Sequence, residues 1–257
     1  KPLIYYPLSV LMLAGIRHIL IIVNKGQLNQ FRKILPERNN LGIIIQYKEQ
    51  NNPRGLPDAF ILGEKFIGKD NVALILGDNF FYGQSLTKIL KKNTKIKNGA
   101  KIFLHPVKNP NLYGVAKTVK NNKVIKLIEK PKKYISNLAI TGLYFFDNKV
   151  INYSKNLTFS KRKELEIVDL LNKYKNNNKL KAELIGRGGT WLDAGNIKDF
   201  YDASNFISTI ENRQGLKIAC IEEISLNNKW INKKDIKKAI KFYGNCDYSK
   251  YLKSIIY

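Results

Sequence analysis

The sequence predicts an α/β fold, with one mixed-sheet domain over residues 1–257 and a helical appendage at its C-terminal end. Three observations predict it. The first hundred or so positions alternate helical and strand patterns, the pattern becomes rich in strands from Lys101 onward, and Lys-rich helical segments close the chain. A chain of 257 residues buries roughly 70–75% of its unfolded surface, so its core is sizeable.

In the first half of the chain, predicted helices and predicted strands alternate. Period-3.6 segments predict helices, β-branched apolar runs predict buried strands, and Gly15 suits the left-handed position after a helix. The helices are 3–14, 28–35 and 57–67, and the strands are 18–23, 42–47 and 72–76. Right-handed crossovers then predict parallel strands. In a wound α/β domain, the helix over 3–14 would follow a strand and its phosphate loop, and neither is present in this sequence.

The second half predicts a strand-rich segment followed by helices. Asn121-Asn122 is typical of a hairpin turn between two of the strands. The strands are 102–106, 114–119, 124–128 and 140–146, and the helices are 164–175, 196–212, 233–242 and 247–255.

Composition disfavours several classes of protein. The net charge is +25, but the Lys excess accompanies many Asn and Ile residues along the whole chain, which is typical of a compositional bias on solvated faces. No nucleic-acid-binding motif appears, so we expect no nucleic-acid partner. The longest apolar runs, such as 19–23, are far too short to cross a membrane. Cys220 and Cys246 form no zinc or disulfide pattern, and we expect a cytoplasmic protein.

Two carboxylates are candidates for metal binding. Asp78 follows the strand 72–76 and Gly77, at the carboxyl edge where ligands bind in open α/β sheets. Asp193 lies among the glycines of the segment 189–195. Asp78 alone could instead cap a turn, with Asn79 sharing that role, and Asp193 alone could cap the next helix. Together they suit a divalent ion in a phosphoryl or nucleotidyl transfer.

Other polar residues lie at predicted strand ends. Gln50 presents a donor and an acceptor, which suits a pyrimidine edge, and Gly55 lets the backbone approach a ligand, although an ordinary loop explains both. Glu129 and Lys130 could bind a sugar and a phosphate, or form a surface ion pair. Cys220 and Cys246 lack a paired base in the sequence, so a covalent nucleophile has no candidate.

Nine strings, in order along the chain, resemble the nucleotidyltransferases that activate sugar phosphates, and within them the thymidylyl-transferring branch. They are residues 1–8, 76–83, 113–115, 129–131, 141–145, 164–167, 191–195, 204–207 and 210–216. The resemblance implies a three-layer α/β/α, Rossmann-like mixed sheet of the nucleotide-sugar transferase type. It also implies a nucleotide-binding part over 1–107, a sugar-phosphate-binding part over 108–195 and a helical region over 196–257.

The resemblance also implies site residues and ligands. The substrates would be dTTP and glucose 1-phosphate, the cofactor Mg²⁺, and the assembly a homo-oligomer, a tetramer in the family. The implied nucleotide-binding residues are Gln50, Gly55 and Asp78; the sugar-phosphate-binding residues are Gly114, Glu129, Lys130 and Ile140; the metal ligands are Asp78 and Asp193; the regulatory residues are Arg187, Glu223 and Ile224. The alternatives are a UTP- or CTP-using relative and a non-catalytic assembly subunit.

One departure from the family pattern concerns catalysis. In the family, a loop of the form G-G-x-G-T-R and a later Lys precede the position of Lys1, and they cradle and neutralise the triphosphate. We therefore expect no catalytic residue within this sequence and little turnover from a chain that starts at Lys1. We also expect an exposed sheet edge that lowers stability.

Overall fold

A computed structural model describes residues 1–257 as ten strands, eleven α-helices and two short 3₁₀ turns. The helices are α1 Tyr5–Leu13, α2 Leu28–Ile34, α3 Asp58–Leu62, α4 Glu64–Ile67, α5 Leu86–Asn93, α6 Lys149–Lys155, α7 Ile167–Asn176, α8 Ile197–Gln214, α9 Ile221–Asn227, α10 Lys233–Tyr243 and α11 Asp247–Ser254. The strands are β1 His18–Asn24, β2 Ile44–Gln50, β3 Val72–Ile75, β4 Asn79–Gly83, β5 Ala100–Pro106, β6 Gly114–Val119, β7 Lys123–Glu129, β8 Leu138–Phe146, β9 Leu180–Leu184 and β10 Gly189–Asp193.

The strands form three hydrogen-bonded groups. The largest has the order β7-β6-β8-β5-β9, with β3 joined antiparallel to β8. Strands β1 and β2 pair in parallel, and β4 and β10 form an antiparallel ribbon. The mixed α/β fold that the sequence predicts is confirmed, and so are the parallel β1–β2 pair and the hairpin between β6 and β7. The parallel pairing predicted for the third strand is wrong, because β3 pairs only with β8 and is antiparallel to it.

A groove separates β1 from β3. Each strand is paired on one side only, β1 with β2 and β3 with β8. Their free edges line the same two cavities, of about 500 and 530 Å³, between α1 on one side and α3 on the other. The sequence predicts one exposed sheet edge. The structure has two unpaired strand edges, those of β1 and β3, and they face each other across the groove.

The main core lies around β8. Eight of the nine residues of this strand are buried, as expected for a central strand covered on both faces. One apolar cluster packs α6 and α7 on the large sheet, and another joins α1, β1 and β2 to α9. The C-terminal helices are tied to this body by Glu222, a buried carboxylate that accepts hydrogen bonds from Tyr243 and Tyr248. No helix combines the length and the apolar character needed to cross a membrane.

Some predicted helix boundaries are wrong. The helix predicted over 57–67 is two short helices, α3 and α4, that meet at Gly63. A Cβ at Gly63 would lie 2.9 Å from the Ala59 carbonyl oxygen, so the tight junction favours glycine. The helix predicted over 164–175 begins later, at Ile167, after an extended Glu166.

Candidate active site

The ribbon of β4 and β10 brings the two candidate metal ligands together. Asp78 immediately precedes β4, Asp193 ends β10, and the register pairs Asp193 with Asn79. The Ala194 N–H donates to the Asp78 carbonyl oxygen at 2.9 Å. Asp193 does not cap the next helix, because Asn196 accepts from the Asp199 N–H at the start of α8. The Asp193 carboxylate accepts one hydrogen bond, from the Gly195 N–H to Oδ1 at 3.0 Å, which leaves Oδ2 for a ligand.

The carboxylates of Asp78 and Asp193 converge beside Gly195. A Cβ built on Gly195 would lie 3.0 Å from Asp193 Oδ1 and 3.1 Å from Asp78 Oδ2, so these oxygens are at most about 6.1 Å apart. Divalent ions bind carboxylate oxygens at about 2.0–2.6 Å. No group of three or more His, Cys, Asp or Glu side chains forms a ready metal cage. An ion held by both carboxylates would take its remaining ligands from phosphate oxygens and water.

Asn79 holds Asp78 in place. Its side chain is buried, and its Oδ1 accepts from the Gly142 N–H at 3.0 Å and from Trp191 Nε1 at 2.6 Å. Since Oδ1 is occupied by two donors, the amide nitrogen faces Asp78 and donates to its Oδ1 at 2.9 Å. The sequence interpretation gave Asn79 a turn-capping role only, but it opens a strand and links β4, β8 and β10.

The charge of the site is unbalanced without a cation. Burial raises the pKa of Asp193, and the nearby Asp78 raises it further, while the Gly195 N–H and Lys130 act in the opposite direction. A cation between the two carboxylates would remove their repulsion. The electrostatics therefore agree with the geometry of a metal site.

The predicted sugar-binding residues form a second cluster. Gly114 lies opposite Glu129 in the β6–β7 pair, and a Cβ there would lie 3.0 Å from Glu129 Oε2 and 3.5 Å from Ile140 Cδ1. Lys130 follows with a φ of 41°, an uncommon backbone conformation outside glycine. Burial and the neighbouring Glu166 raise the pKa of Glu129, while Arg162 and Lys130 lower it. This cluster offers a hydrogen-bonding carboxylate beside a cation.

Arg162 belongs to this cluster and was missed in the sequence. Its guanidinium lies 3.7 Å from Glu129 Oε1 and 2.7 Å from Glu166 Oε2. In the sequence it lies between Lys161 and Lys163, where it is indistinguishable from the general basic bias. Its place beside Glu129 is visible only in the folded chain, because the segment before α7 returns to the end of β7.

The predicted nucleotide-binding residues share one cavity. Gln50 and Gly55 line the 530 Å³ cavity together with Gly77, the residue before Asp78. Gly55 has a φ of 101°, and a Cβ there would lie 2.1 Å from the Leu165 carbonyl oxygen, so only glycine fits. The Gln50 amide donates to Asn24 Oδ1 at 2.9 Å, which holds it at the end of β2.

The three regulatory candidates lie on two elements, a turn and helix α9. Arg187 lies on the exposed turn between β9 and β10. Glu223 accepts a hydrogen bond from the Tyr251 hydroxyl at 2.7 Å, and Ile224 is buried in the cluster with α1 and β1. Glu223 and Ile224 are thus engaged in packing, at a different part of the chain from Arg187.

Comparison with known proteins identifies the family of this chain. The family described as nucleotidyl transferase matches residues 1–210. The chain is 44% identical to the glucose-1-phosphate thymidylyltransferase of Neisseria meningitidis serogroup A over 252 aligned residues. These residues make up 98% of this chain and 88% of the relative. The chain belongs to the nucleotidyl transferase family. The corresponding enzyme of Xanthomonas campestris is 44% identical over 255 residues, covering 99% of this chain and 86% of the relative.

Solved structures share the fold of this nucleotidyltransferase. A Bacillus anthracis crystal structure, assigned to a glucose-1-phosphate thymidylyltransferase in complex with sucrose, has a TM-score of 0.73 and 34% identity, covering 80% of this chain and 82% of that chain. A UDP-glucose pyrophosphorylase in complex with UDP-glucose has a TM-score of 0.68, covering 81% of this chain and 87% of that chain. At 22% identity, this second likeness concerns the fold alone.

Proposed function

We propose that this nucleotidyltransferase is a glucose-1-phosphate thymidylyltransferase, which converts dTTP and α-D-glucose 1-phosphate into dTDP-glucose and pyrophosphate. The observation that carries the proposal is the meeting of Asp78 and Asp193 beside Gly195. Two observations support a link to the other candidate residues: Gly77, next to Asp78, lines the cavity that contains Gln50 and Gly55, and Lys130, next to Glu129, lowers the pKa of Asp193. The names of the relatives supply the base and the sugar.

The proposed reaction is an in-line displacement. A phosphate oxygen of glucose 1-phosphate attacks the α-phosphorus of dTTP, the new P–O bond forms, and pyrophosphate leaves with the electrons of the broken bond. A divalent ion, which we propose to be Mg²⁺, would supply positive charge for the α-phosphate when bound to Asp78 and Asp193. The chain's own contribution is to orient the two substrates for attack.

One group of residues would orient the nucleotide and a second group would orient the sugar phosphate. Gln50 would pair with the edge of thymine, and the backbone at Gly55 would lie against the base. Glu129 would accept hydrogen bonds from sugar hydroxyls, with Gly114 and Ile140 shaping that wall. Lys130 and Arg162 would neutralise the sugar phosphate, which otherwise repels the triphosphate.

Assembly, location and regulation belong to the same proposal. We propose a cytoplasmic homotetramer. The support is an apolar surface at the start of α8, where Ile197, Phe200 and Tyr201 are exposed. Size-exclusion chromatography with light scattering tests it, and a monomer at micromolar concentration contradicts it. The regulatory role of Arg187, Glu223 and Ile224 remains a prediction, tested by inhibition with the nucleotide-sugar product in single-alanine variants.

Ligand binding and turnover test the activity separately. With Mg²⁺ present, we expect dTDP-glucose to raise the Tm of the chain more than UDP-glucose does. Glu129→Gln should reduce the effect of dTDP-glucose while leaving that of dTTP in place. Turnover is then measured as pyrophosphate release in the presence of glucose 1-phosphate, with dTTP or with UTP as the nucleotide. Equal or better binding of UDP-glucose would favour the UTP-using alternative.

A further inference from the structure

A concave surface lies along β9, the edge strand of the large sheet. Its cavity of about 740 Å³ is lined by residues from the end of α5, from β5, from the β6–β7 hairpin, and from α7 and β9. Five cations converge there, namely Lys92, Lys101, Lys123, Lys175 and Lys181. Glu183 is the single acidic residue of the lining, and it lies 3.6 Å from the Lys92 ammonium. The lining therefore carries a net charge of +4.

Two of these lysines are placed unfavourably for stability. Lys101 and Lys181 are register partners on the parallel strands β5 and β9. Like charges directly opposite each other across a sheet destabilise it. Burial lowers the pKa of Lys101, and Lys181 and Lys92 lower it further, against the opposing effect of Glu183. Lys101 is half-buried and Lys181 is exposed, and their register keeps the two ammonium groups on neighbouring strands.

Asparagine amides complete the rim of the cavity. Asn121, Asn122 and Asn178 all line it, and all three have left-handed backbone conformations with φ values of 61°, 55° and 54°. Side-chain amides donate hydrogen bonds to anionic oxygens. The cavity thus combines a concentrated positive charge with neutral donors along an open, concave surface.

The cavity is separate from the proposed active site. None of the proposed active-site residues lines it, and Lys123 begins β7 whereas Glu129 ends that strand. Six strand residues at ~3.3 Å each separate these two positions by roughly 20 Å. We propose that the cavity binds a compact polyanion with at least three negative charges, of the inorganic polyphosphate class. Such a ligand would neutralise the opposed Lys101 and Lys181.

Titration calorimetry with sodium tripolyphosphate tests the proposal. In about 150 mM salt, where long-range attraction is screened, we expect the wild-type chain to bind one tripolyphosphate. The double variant Lys101→Gln, Lys181→Gln should weaken that binding by about tenfold or more. Without ligand, the same variant should melt at a higher temperature than the wild type in low salt, because the repulsion is gone.

Two further variants make the result specific. Lys237→Gln, Lys241→Gln removes the same charge from exposed positions of α10 and should leave tripolyphosphate binding unchanged within about twofold. Lys101→Arg, Lys181→Arg keeps the charge and should retain binding. The proposal is overturned if the wild type shows no saturable binding, or if both glutamine variants lose affinity equally, since the general field of the protein would then account for it.

Discussion

Asp78 and Asp193 each direct one carboxylate oxygen to within about 3 Å of the place where Gly195 would carry a Cβ. They meet there because β4 and β10 pair antiparallel and set Asp193 opposite Asn79. Two acids this close repel each other unless a cation lies between them. The glycine keeps the meeting point open.

Filling that space should weaken metal binding. In Gly195→Ala, the new methyl group would lie at 3.0 and 3.1 Å from the two oxygens, so it would displace the carboxylates by a few tenths of an ångström and occupy the space between them. We expect the affinity for Mn²⁺, measured by electron paramagnetic resonance, to fall by about tenfold or more. A tenfold loss corresponds to ~1.4 kcal/mol of binding free energy.

The matched control is Gly186→Ala. A Cβ at Gly186 would meet no atom within 4 Å, and its backbone is outside the left-handed region. This variant should bind Mn²⁺ as the wild type does. If Gly195→Ala also binds Mn²⁺ normally, the two carboxylates do not share an ion beside Gly195.

Removing the charge of Asp193 should stabilise the metal-free protein. The folded-state pKa of Asp193 is raised above its ordinary value of 3.8 by burial and by Asp78. Its ionised form therefore costs stability, and the cost grows as the pH rises from about 3.8 through the raised pKa. Asp193→Asn lacks this cost and keeps an oxygen for the Gly195 N–H, so its Tm at pH 7 should exceed that of the wild type.

Added metal should reverse this order. A ligand at 100 times its Kd stabilises a protein by about 2.7 kcal/mol, and only the wild type has both carboxylates. Melting curves with and without saturating Mg²⁺ at pH 7 measure both effects. A rise in Tm with Mg²⁺ of the same size in Asp193→Asn would show that Asp193 is not a ligand.

The sequence predicts those elements whose own pattern is strong. The apolar run of β8 and the helical periodicity of α1 and α8 appear close to where they were expected. Strands β4, β9 and β10 were not predicted, since their residues do not alternate cleanly and they are held by partners distant in sequence. Helix α9 was missed for a similar reason: its burial against α1 comes from tertiary contacts.

The site could be predicted in part. Asp78 and Asp193 were recognisable because glycines flank both in the sequence, and glycine marks close approach. Arg162 was not, because a single cation in a basic segment has no local signal, and Asn79 was assigned only a local role. Their functions depend on contacts with Glu129, Gly142 and Trp191 that exist only after folding.

The facing edges of β1 and β3 should be visible in hydrogen exchange. Amides of β1 directed away from β2, and those of β3 directed away from β8, have no strand partner. Strand β5 is paired on both sides, with β8 and β9. We expect these free-edge amides to exchange roughly tenfold or more faster than the amides of β5. Equal protection, measured by NMR, would mean that another strand fills the groove in solution.

The two cysteines should differ sharply in reactivity. Cys220 is buried, and burial raises its pKa to about 12, so at pH 8 only about one molecule in ten thousand carries the reactive thiolate. Cys246 accepts hydrogen bonds from the N–H and hydroxyl of Ser249, which lower its pKa. Titration with Ellman's reagent at pH 8 should therefore modify one thiol in the native protein and two in denaturant. In Cys246→Ser the native signal should vanish, whereas in Cys220→Ala it should persist; a fast-reacting Cys220 would mean that α9 and α11 open readily.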